Sequence, residues 1–287
     1  MIVFLNGKFV PEEQAVVSVF DRSFLYGDGL FETILVANGV PFRWLQHLDR
    51  LWRGAAFLGI RPPYELKELT RFALTLIREN RLRDGMLRLT LSRGVGVRGY
   101  SPRGADSPNL VMTLFPLSGI DPNVLRNWRL RTSSFTLPAN QPLAQFKNCN
   151  KLPQVLARAE VEQNADEALL SNTDGFVVEG ASSNFFWIEQ NAICTPPLAS
   201  GILSGVTRLV VLELCQEMSL PAAERNITAN GLLDSDGVFL SLSSFGIIQA
   251  TSLDGQPLKQ SPLTHQLHAA YSELLRSETV SSIDLEN

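Results

Sequence analysis

The stretch QFKNCNKLPQVLARAE, residues 145–160, marks where an extended segment gives way to a helix, and it separates two lysines. Pro153 has no amide hydrogen and is tolerated only in the first turn of a helix, which predicts a helix that begins near Asn150, a good N-cap residue. Lys151 then lies in the first turn. Lys147 lies before the helix, where a side chain can point into a cleft, although most lysines at such positions are exposed loop residues.

The first part of the chain carries signals of antiparallel sheet and of helix. Asn-Gly pairs at residues 6–7 and 38–39 interrupt short apolar runs and predict two β-hairpins. Apolar residues at helical spacing predict amphipathic helices within residues 44–60 and 64–80. Two more strands are expected in GMLRLTLSRG and NLVMTLFPL, after which SGIDPN is typical of a turn. We therefore expect an α+β domain over residues 1–117.

The second part of the chain mixes strands and helices in the same way. A linker at 118–124 leads into a larger domain over 125–287, with a strand in WRLRTSSF and three strands within residues 166–196. A helix is expected in SGVTRLVVLELCQEM, one strand in GVFLSLSSFGIIQA and a last helix in LTHQLHAAYSELLRS. The predicted fold class is α+β, with mixed sheet and helix in both domains.

Composition narrows the kind of partner. The formal net charge is -4 and no basic tract is present, which argues against a nucleic-acid or membrane partner and favours a small-molecule substrate. No apolar run approaches about 18 residues, and acidic residues follow the start too closely for a signal peptide, so a cytoplasmic location is expected. The three cysteines form no CxxC pair, which predicts neither a disulfide framework nor a metal site.

Most common catalytic motifs are absent from the sequence or lack their context. Gly94, Gly96 and Gly99 form a GxGxxG, but the following YSPRGADSPN has two prolines and no helical period, which excludes a dinucleotide-binding turn. No HExxH, GxSxG or GxxxxGK[ST] occurs. Asp28 and Glu32 lie close together in the sequence, and such paired acids near a hairpin are more often solvated than catalytic.

Five segments together resemble a known family. In order they are DRSFLYGDGLFETI, HLDRL, FKNCNKLPQVLARAE, ADEALLSNTDGFVVEGASSNFFW and TPPLASGILSGVTR. This set is similar to the fold-type IV pyridoxal-phosphate enzymes, which include branched-chain and D-amino-acid aminotransferases and 4-amino-4-deoxychorismate lyases. The resemblance implies a two-domain fold, pyridoxal 5′-phosphate as cofactor, and a homodimer with the cofactor near the subunit interface.

The resemblance also implies roles for individual residues. Lys147 matches the lysine that forms the Schiff base with the cofactor, and Glu179 matches the acid that keeps the pyridine nitrogen protonated. Arg50 matches the arginine that binds the cofactor phosphate through forked hydrogen bonds. The resemblance implies further contacts with the cofactor phosphate from Val206 and Thr207, at the start of a helix, and from Ser243. It also implies that Leu203 packs on the cofactor ring.

Three segments resemble the lyases more than the aminotransferases: RGVGVRGYS, NKLPQVLARAEVEQNADEALL and LSLSSFGI. A lyase of this kind converts 4-amino-4-deoxychorismate to 4-aminobenzoate and pyruvate in folate biosynthesis. The resemblance then makes Thr33 a candidate proton relay, and Arg98, Tyr100 and Ser244 candidate substrate contacts. The alternative is a class IV aminotransferase acting on branched-chain or D-amino acids, although Lys151 stands where branched-chain enzymes have a tyrosine.

Overall fold

The computed structural model describes residues 1–117, 121 and 124–280. By contacts between residues these separate into two units, each described by itself below. The first unit contains residues 1–117, the short segment 146–150 and residues 276–280; the second contains the remaining described residues. Lys147 therefore belongs to the first unit, although it follows the start of the second unit in the sequence.

The predicted domains are continuous stretches of sequence, whereas the two units found from contacts are not. Domains at 1–117 and 125–287 stay predictions, and most of the linker at 118–124 lies outside the described residues. The predicted α+β class is confirmed, because each unit combines one sheet with helices.

The first unit is built on a six-stranded antiparallel sheet. Its strands are β1 (Ile2–Leu5), β2 (Lys8–Pro11), β3 (Gly29–Ala37), β4 (Val40–Pro41), β5 (Gly85–Ser92) and β6 (Asn109–Pro116), in the order β2-β1-β6-β5-β3-β4. Both predicted hairpins are confirmed. Asn6 and Gly7 have positive φ, as do Asn38 and Gly39, and such turns match the twist of the strands that they join.

Three α-helices accompany this sheet: α1 (Arg22–Tyr26), α2 (Trp44–Leu58) and α3 (Leu66–Glu79), with a 3₁₀ turn at Glu12–Gln14. The two predicted amphipathic helices are α2 and α3, and both bury one apolar stripe. Leu48 and Leu51 of α2 and Leu69 and Leu76 of α3 are fully or almost fully buried in one core with the sheet. This core fixes α2 against the sheet strand β3.

The second unit is built on a nine-stranded mixed sheet. Its strands are β7 (Arg126–Leu137), β8 (Glu167–Asn172), β9 (Val177–Gly180), β10 (Asn184–Glu189), β11 (Ala192–Thr195), β12 (Ala222–Glu224), β13 (Gly237–Leu242), β14 (Gly246–Leu253) and β15 (Gln256–Pro257). The order is β12-β11-β10-β13-β14-β7-β8-β9, and β15 pairs with β14. Three of the pairs are parallel: β11 with β12, β14 with β7, and β7 with β8.

Four α-helices begin in the second unit: α4 (Leu152–Val161), α5 (Val206–Glu217), α6 (Ala229–Asp234) and α7 (Pro262–Glu278), with 3₁₀ turns at Pro142–Gln145 and Leu198–Ser200. The predicted helices in SGVTRLVVLELCQEM and LTHQLHAAYSELLRS are confirmed as α5 and α7. Among the described residues, no helix combines the length and apolar character needed to cross a membrane.

The helix after Lys147 begins later than predicted. Its N-cap is Lys151 rather than Asn150, and its first residue is Leu152. Asn150 uses its side chain elsewhere: Nδ2 donates to the carbonyl of Gly27 at 3.1 Å. The prediction of an Asn150 cap was therefore wrong, because that amide binds the carbonyl of Gly27, the C-cap of α1. Pro153 does lie in the first turn as expected.

Two predictions of strand number were wrong in the second unit. Residues 166–196 form four strands rather than three, because the buried Glu167 carboxylate accepts hydrogen bonds from the amide and hydroxyl of Ser182 and from the hydroxyl of Ser183. These bonds turn the chain between β9 and β10. Residues 237–250 form a hairpin rather than one strand, because the chain reverses before Gly246, which has φ of 65°.

Candidate functional site

The segment that carries Lys147 is an extension of the first unit's sheet. The carbonyl of Lys147 accepts a hydrogen bond from the amide of Phe31 at 2.8 Å, and the amide of Cys149 donates to the carbonyl of Gly29 at 3.0 Å. Phe146 packs against α2, with its ring centroid 5.2 Å from that of Phe57. The backbone at Lys147 is thus held by β3 on one side and by the Phe146 anchor on the other.

The side chain of Lys147 extends over an aromatic ring of β3. Its Nζ lies 4.7 Å from the centroid of Phe31. The guanidinium carbon of Arg88, on the neighbouring strand β5, lies 3.9 Å from the same centroid. The ring attracts both cations through its quadrupole, but the two positive charges repel each other. An anion placed beside them would relieve that repulsion.

Arg88 is a candidate site residue that the sequence interpretation missed. Its guanidinium is partly buried, and burial lowers the pKa of Arg88 below its ordinary value. No hydrogen bond joins its side chain to any other residue in the described parts of the chain. A guanidinium has five N–H donors and suits a carboxylate in a forked geometry, so Arg88 is well placed to bind an anionic ligand. The sequence interpretation placed a strand in GMLRLTLSRG but did not single out Arg88 within it.

On the opposite face of β3, a buried carboxylate is held by two side chains of α2. Glu32 accepts hydrogen bonds from Arg50 Nε at 2.8 Å and Arg50 Nη2 at 2.5 Å, and its Oε2 lies 2.7 Å from His47 Nδ1. All three residues are at most 3% exposed. The interpretation of Glu32 as a solvated acid was therefore wrong. The structure instead fixes the orientation of the Arg50 guanidinium, the group implied in phosphate binding.

The protonation states in this cluster follow from burial and charge. Burial alone would raise the pKa of Glu32, but the charge and hydrogen bonds of Arg50 prevail and lower it to about 2. Burial lowers the pKa of His47, against the hydrogen bond to Glu32. An ionised carboxylate has no proton to donate, so His47 Nδ1 carries the hydrogen that Glu32 accepts. The cluster at neutral pH is one carboxylate, one guanidinium and a neutral imidazole.

Thr33, Arg98 and Tyr100 also lie in the first unit. Thr33 is two residues from Phe31 on β3, so its side chain projects from the same face of the sheet. Arg98 and Tyr100 lie in the loop between β5 and β6, where no helix follows the GxGxxG, as the exclusion of a dinucleotide-binding turn requires. Tyr100 is 87% exposed.

In the second unit, the structure joins two of the predicted cofactor contacts directly. Glu179, at the end of β9, accepts a hydrogen bond at its Oε2 from the amide of Leu203 at 2.9 Å. Asn184, the first residue of β10, donates from Nδ2 to the carbonyl of Leu203 at 3.0 Å. The chain at Leu203 is therefore held through both its amide and its carbonyl. Asn184 was not singled out from the sequence, although it lies in the segment SSN that follows Glu179.

Val206 and Thr207 are the first two residues of α5. The N-cap is Gly205, which has no side chain that could cap the amides of the first turn. A Cβ at Gly205 would collide with Oδ1 of Asn184, so a larger residue there would displace the amide that binds the Leu203 carbonyl. An uncapped helix start of this kind favours an anion through its amides and its dipole. Ser243 and Ser244 lie in the turn between β13 and β14.

Comparison with known proteins identifies relatives over almost the whole chain. The family model described as amino-transferase class IV matches residues 29–253. A Methanocaldococcus jannaschii protein named as a candidate branched-chain-amino-acid aminotransferase is 36% identical over 260 residues, covering 89% of each chain. The D-alanine aminotransferase of Bacillus licheniformis is 32% identical, covering 99% of this chain and 100% of its own.

The chain is also similar to a solved structure of a lyase, at an identity close to that of the two aminotransferases. The crystal structure of 4-amino-4-deoxychorismate lyase from Pseudomonas aeruginosa matches with a TM-score of 0.83 and 33% identity. The match covers 94% of this chain and 98% of that one. The relatives thus include both activities that the sequence left open.

The buried cluster at Glu32 predicts a pH dependence of stability. Because the pKa of Glu32 is about 2 in the folded protein and near 4.5 when unfolded, its stabilisation is complete above pH 4.5 and is lost as the pH falls towards 2. The full loss amounts to about 3 kcal/mol. As the pH falls from 4.5 to 3, the free energy of unfolding from urea denaturation should decrease more steeply for the native protein than for Glu32→Gln. The difference in slope should correspond to the uptake of close to one additional proton on unfolding.

The matched control is Glu13→Gln, which removes an exposed carboxyl in the same unit. This variant should keep the native slope. Equal slopes for the native protein and Glu32→Gln would contradict the assignment of a buried, ionised Glu32.

Proposed function

Because the chain belongs to the class IV amino-transferase family, whose enzymes use pyridoxal 5′-phosphate, we propose that it is a lyase that converts 4-amino-4-deoxychorismate to 4-aminobenzoate and pyruvate. The observation that carries the proposal is the placement of Thr33. Its side chain projects from the face of β3 over which the Lys147 amine lies, roughly 7 Å along the strand from Phe31. A lyase needs such a hydroxyl to protonate a leaving oxygen, whereas transfer of an amino group does not.

The residues of the chain fit this cofactor. The carboxylate of Glu179 is fixed by the Leu203 amide, which supports its role opposite the pyridine nitrogen. The start of α5 at Val206 and Thr207 has no side-chain cap and suits the phosphate, with Ser243 as a second contact. Arg50 is a guanidinium already oriented by Glu32, which reduces the entropy lost when it binds a phosphate. Leu203 supplies an apolar contact for the ring.

In the proposed mechanism Lys147 is both the attachment point of the cofactor and the base. When bound, pyridoxal 5′-phosphate supplies a ring that accepts electrons from the carbon bearing the substrate nitrogen. Lys147 Nζ, when not bonded to the cofactor, would remove the proton from that carbon. Glu179 would hold a proton at the ring nitrogen, and that proton would strengthen the electron acceptor.

Elimination then breaks the bond between the substrate ring and the enolpyruvyl oxygen. The electron pair of the broken C–H bond becomes part of the aromatic ring, and the pair of the C–O bond leaves with the oxygen. Thr33 would relay a proton to that oxygen: its hydroxyl donates a proton and takes up the one that Lys147 removed from carbon, and the released enol rearranges to pyruvate. Aromatisation makes the step hard to reverse. Arg98, Tyr100 and Ser244 are proposed substrate contacts, and Arg88 is added to them as a carboxylate-binding residue.

A class IV aminotransferase is the second candidate. The two curated relatives described above carry aminotransferase names, one for branched-chain amino acids and one for D-alanine. The guanidinium of Arg88 beside Lys147 suits the carboxylate of an amino acid as well as that of a cyclic substrate. The two activities differ in their products and in their need for Thr33.

Two assays of the enzyme reconstituted with pyridoxal 5′-phosphate separate the candidates. Supplied with 4-amino-4-deoxychorismate, the protein should release 4-aminobenzoate and pyruvate in equal amounts. Supplied with D-alanine or a branched-chain amino acid together with 2-oxoglutarate, it should produce little new amino acid. Rapid amino exchange without any 4-aminobenzoate would remove the lyase proposal.

Variants at Thr33 extend this test to the mechanism. Thr33→Val keeps the shape and removes the hydroxyl, and it should lower kcat for the lyase reaction by about 100-fold, the usual scale for a lost general acid. Thr33→Ser restores a hydroxyl and should recover most of the rate. A Thr33→Val enzyme as fast as the native one would show that another group protonates the leaving oxygen.

A homodimer is proposed on the basis of an apolar surface in the first unit. Four apolar side chains of the segment 16–24 are more than 60% exposed: Val16, Val19, Phe20 and Phe24. Asp21 of the same segment forms an isolated β-bridge with Val95 of the loop between β5 and β6. Large exposed apolar side chains concentrated in one segment are typical of an interface between subunits.

Charge reversal on this surface tests the dimer. Phe24→Glu places a carboxylate in the proposed contact and should convert the protein to a monomer in sedimentation equilibrium, because an unpaired charge is costly to bury. Leu74→Glu changes an exposed leucine on α3, outside the surface, and should leave the dimer intact. A native protein that sediments at the monomer mass of 31.7 kDa would exclude this interface.

A further inference from the structure

We infer that Arg22 is a positioning residue that fixes the glycine-rich loop, residues 94–104, and thereby sets the affinity for a substrate carboxylate. The loop carries Arg98 and Tyr100. The link to substrate affinity rests on the proposed function, whereas the control of the loop by Arg22 does not.

The guanidinium of Arg22 holds two consecutive carbonyls of the loop. Nη1 donates to the carbonyl of Gly99 at 2.9 Å, and Nη2 donates to that of Tyr100 at 3.0 Å. Its backbone amide also donates to the carbonyl of Gly94 at 2.9 Å. Arg22 is only 3% exposed, so these bonds are shielded from water. Hydrogen bonds from a charged donor are stronger than neutral ones and are costly to lose when buried.

The loop takes much of its shape from α1. Tyr26 accepts a hydrogen bond at its hydroxyl from the amide of Gly99 at 3.3 Å, and its ring centroid lies 5.6 Å from that of Tyr100. A Cβ at Gly96 would lie 3.0 Å from Cδ of Arg22, so the loop backbone packs directly on the arginine stem. Apart from the bridge to Asp21, no described residue of the loop belongs to a helix or a sheet ladder.

A single carboxylate orients Arg22 and a second arginine. Asp28 Oδ2 accepts from Arg22 Nε at 2.8 Å and from Arg93 Nε at 2.7 Å. Burial opposes the charge on this carboxylate, but hydrogen bonds from Arg93 and Arg22 hold the pKa of Asp28 below its ordinary value. Asp28 is therefore ionised at neutral pH and aims each guanidinium at its backbone targets.

Arg93 provides a matched control within the same cluster. It is also buried and bound to Asp28, but its Nη1 and Nη2 donate to the carbonyls of Gly59 and Leu58 at the end of α2. Loss of either arginine breaks a buried pair with the same acid. Only loss of Arg22 removes the bonds to the loop. A general effect on stability would appear in both variants, whereas control of the loop would appear in one.

Hydrogen exchange followed by mass spectrometry tests the structural step without any substrate. In the holoenzyme Arg22→Met, amides in a peptide covering residues 95–104 should exchange about tenfold faster than in the native protein, the scale expected for lost charged hydrogen bonds. Arg93→Met should accelerate exchange in a peptide covering residues 54–60 and leave 95–104 near the native rate. Equal exchange of 95–104 in the native protein and Arg22→Met would overturn the inference.

Steady-state kinetics test the functional step with whichever carboxylate substrate the enzyme accepts. Arg22→Met should raise KM about tenfold with kcat within threefold of native, because the loop binds substrate without touching the reacting atoms. Arg93→Met should leave KM near its native value. A loop that loosens in Arg22→Met while KM stays native would overturn the link to substrate binding.

Milder variants keep the test decisive if Arg22→Met does not fold. Arg22→Lys retains the charge but not the fork, and Tyr26→Phe removes only the hydroxyl that accepts from Gly99. Both should accelerate exchange in 95–104 by a smaller factor than Arg22→Met, and native exchange in both would overturn the inference. If neither proposed activity is detected, the proposed function fails, but the exchange result still decides the role of Arg22.

Discussion

The burial of one negative charge, on Glu32, constrains how α2 and β3 of the first unit pack together. A carboxylate in that position is tolerated only if it is paired, and Arg50 and His47 of α2 provide the partners. The pairing ties α2 to β3 and gives Arg50 a single orientation. Removal of one partner would leave an uncompensated buried charge, so the helix and the strand hold their relative position.

The same strand then determines where Lys147 lies. The segment 146–150 forms hydrogen bonds to the backbone of β3 at Gly29 and Phe31, immediately before Glu32. Asp28, one residue before the strand, orients Arg22 and Arg93. The sequence DRSFLYGDGLFETI thus contains Arg22, which binds the glycine-rich loop, and Phe31, whose amide binds the backbone of Lys147. It also contains the buried acid Glu32. In the second unit, Asn184 and Glu179 play a comparable part by holding the chain at Leu203.

Local signals predicted much of the fold, because they depend on backbone conformation and burial over a few residues. The hairpins at Asn6-Gly7 and Asn38-Gly39 and the helices α2 and α3 follow from positive φ and from the 3.6-residue period. The errors arose where a distant partner decides the outcome. Asn150 resembles a helix cap, but its side chain binds Gly27, and the extra turn after β9 depends on Glu167, fifteen residues before Ser182.

Some residues of the candidate site could likewise be predicted from the sequence, and others could not. Resemblance to a family indicated Lys147, Glu179 and Arg50, whose roles no spacing rule could supply. Sequence reasoning treated Glu32 as solvated and passed over Arg88, because a lone charge in a strand gives no sign of which face it occupies or what lies beside it. One signal was available: Glu32 and Arg50 belong to neighbouring predicted elements, and a glutamate within an apolar strand needs a cationic partner.

The attachment of the cofactor to Lys147 is the claim on which the account depends. The most direct measurement is reduction of the reconstituted enzyme with borohydride, followed by digestion and peptide mass spectrometry. The account predicts a single pyridoxyl adduct on Lys147, retained in Lys151→Ala and absent in Lys147→Ala. An adduct on Lys151 or on another lysine of the native protein, or no adduct at all, would contradict it.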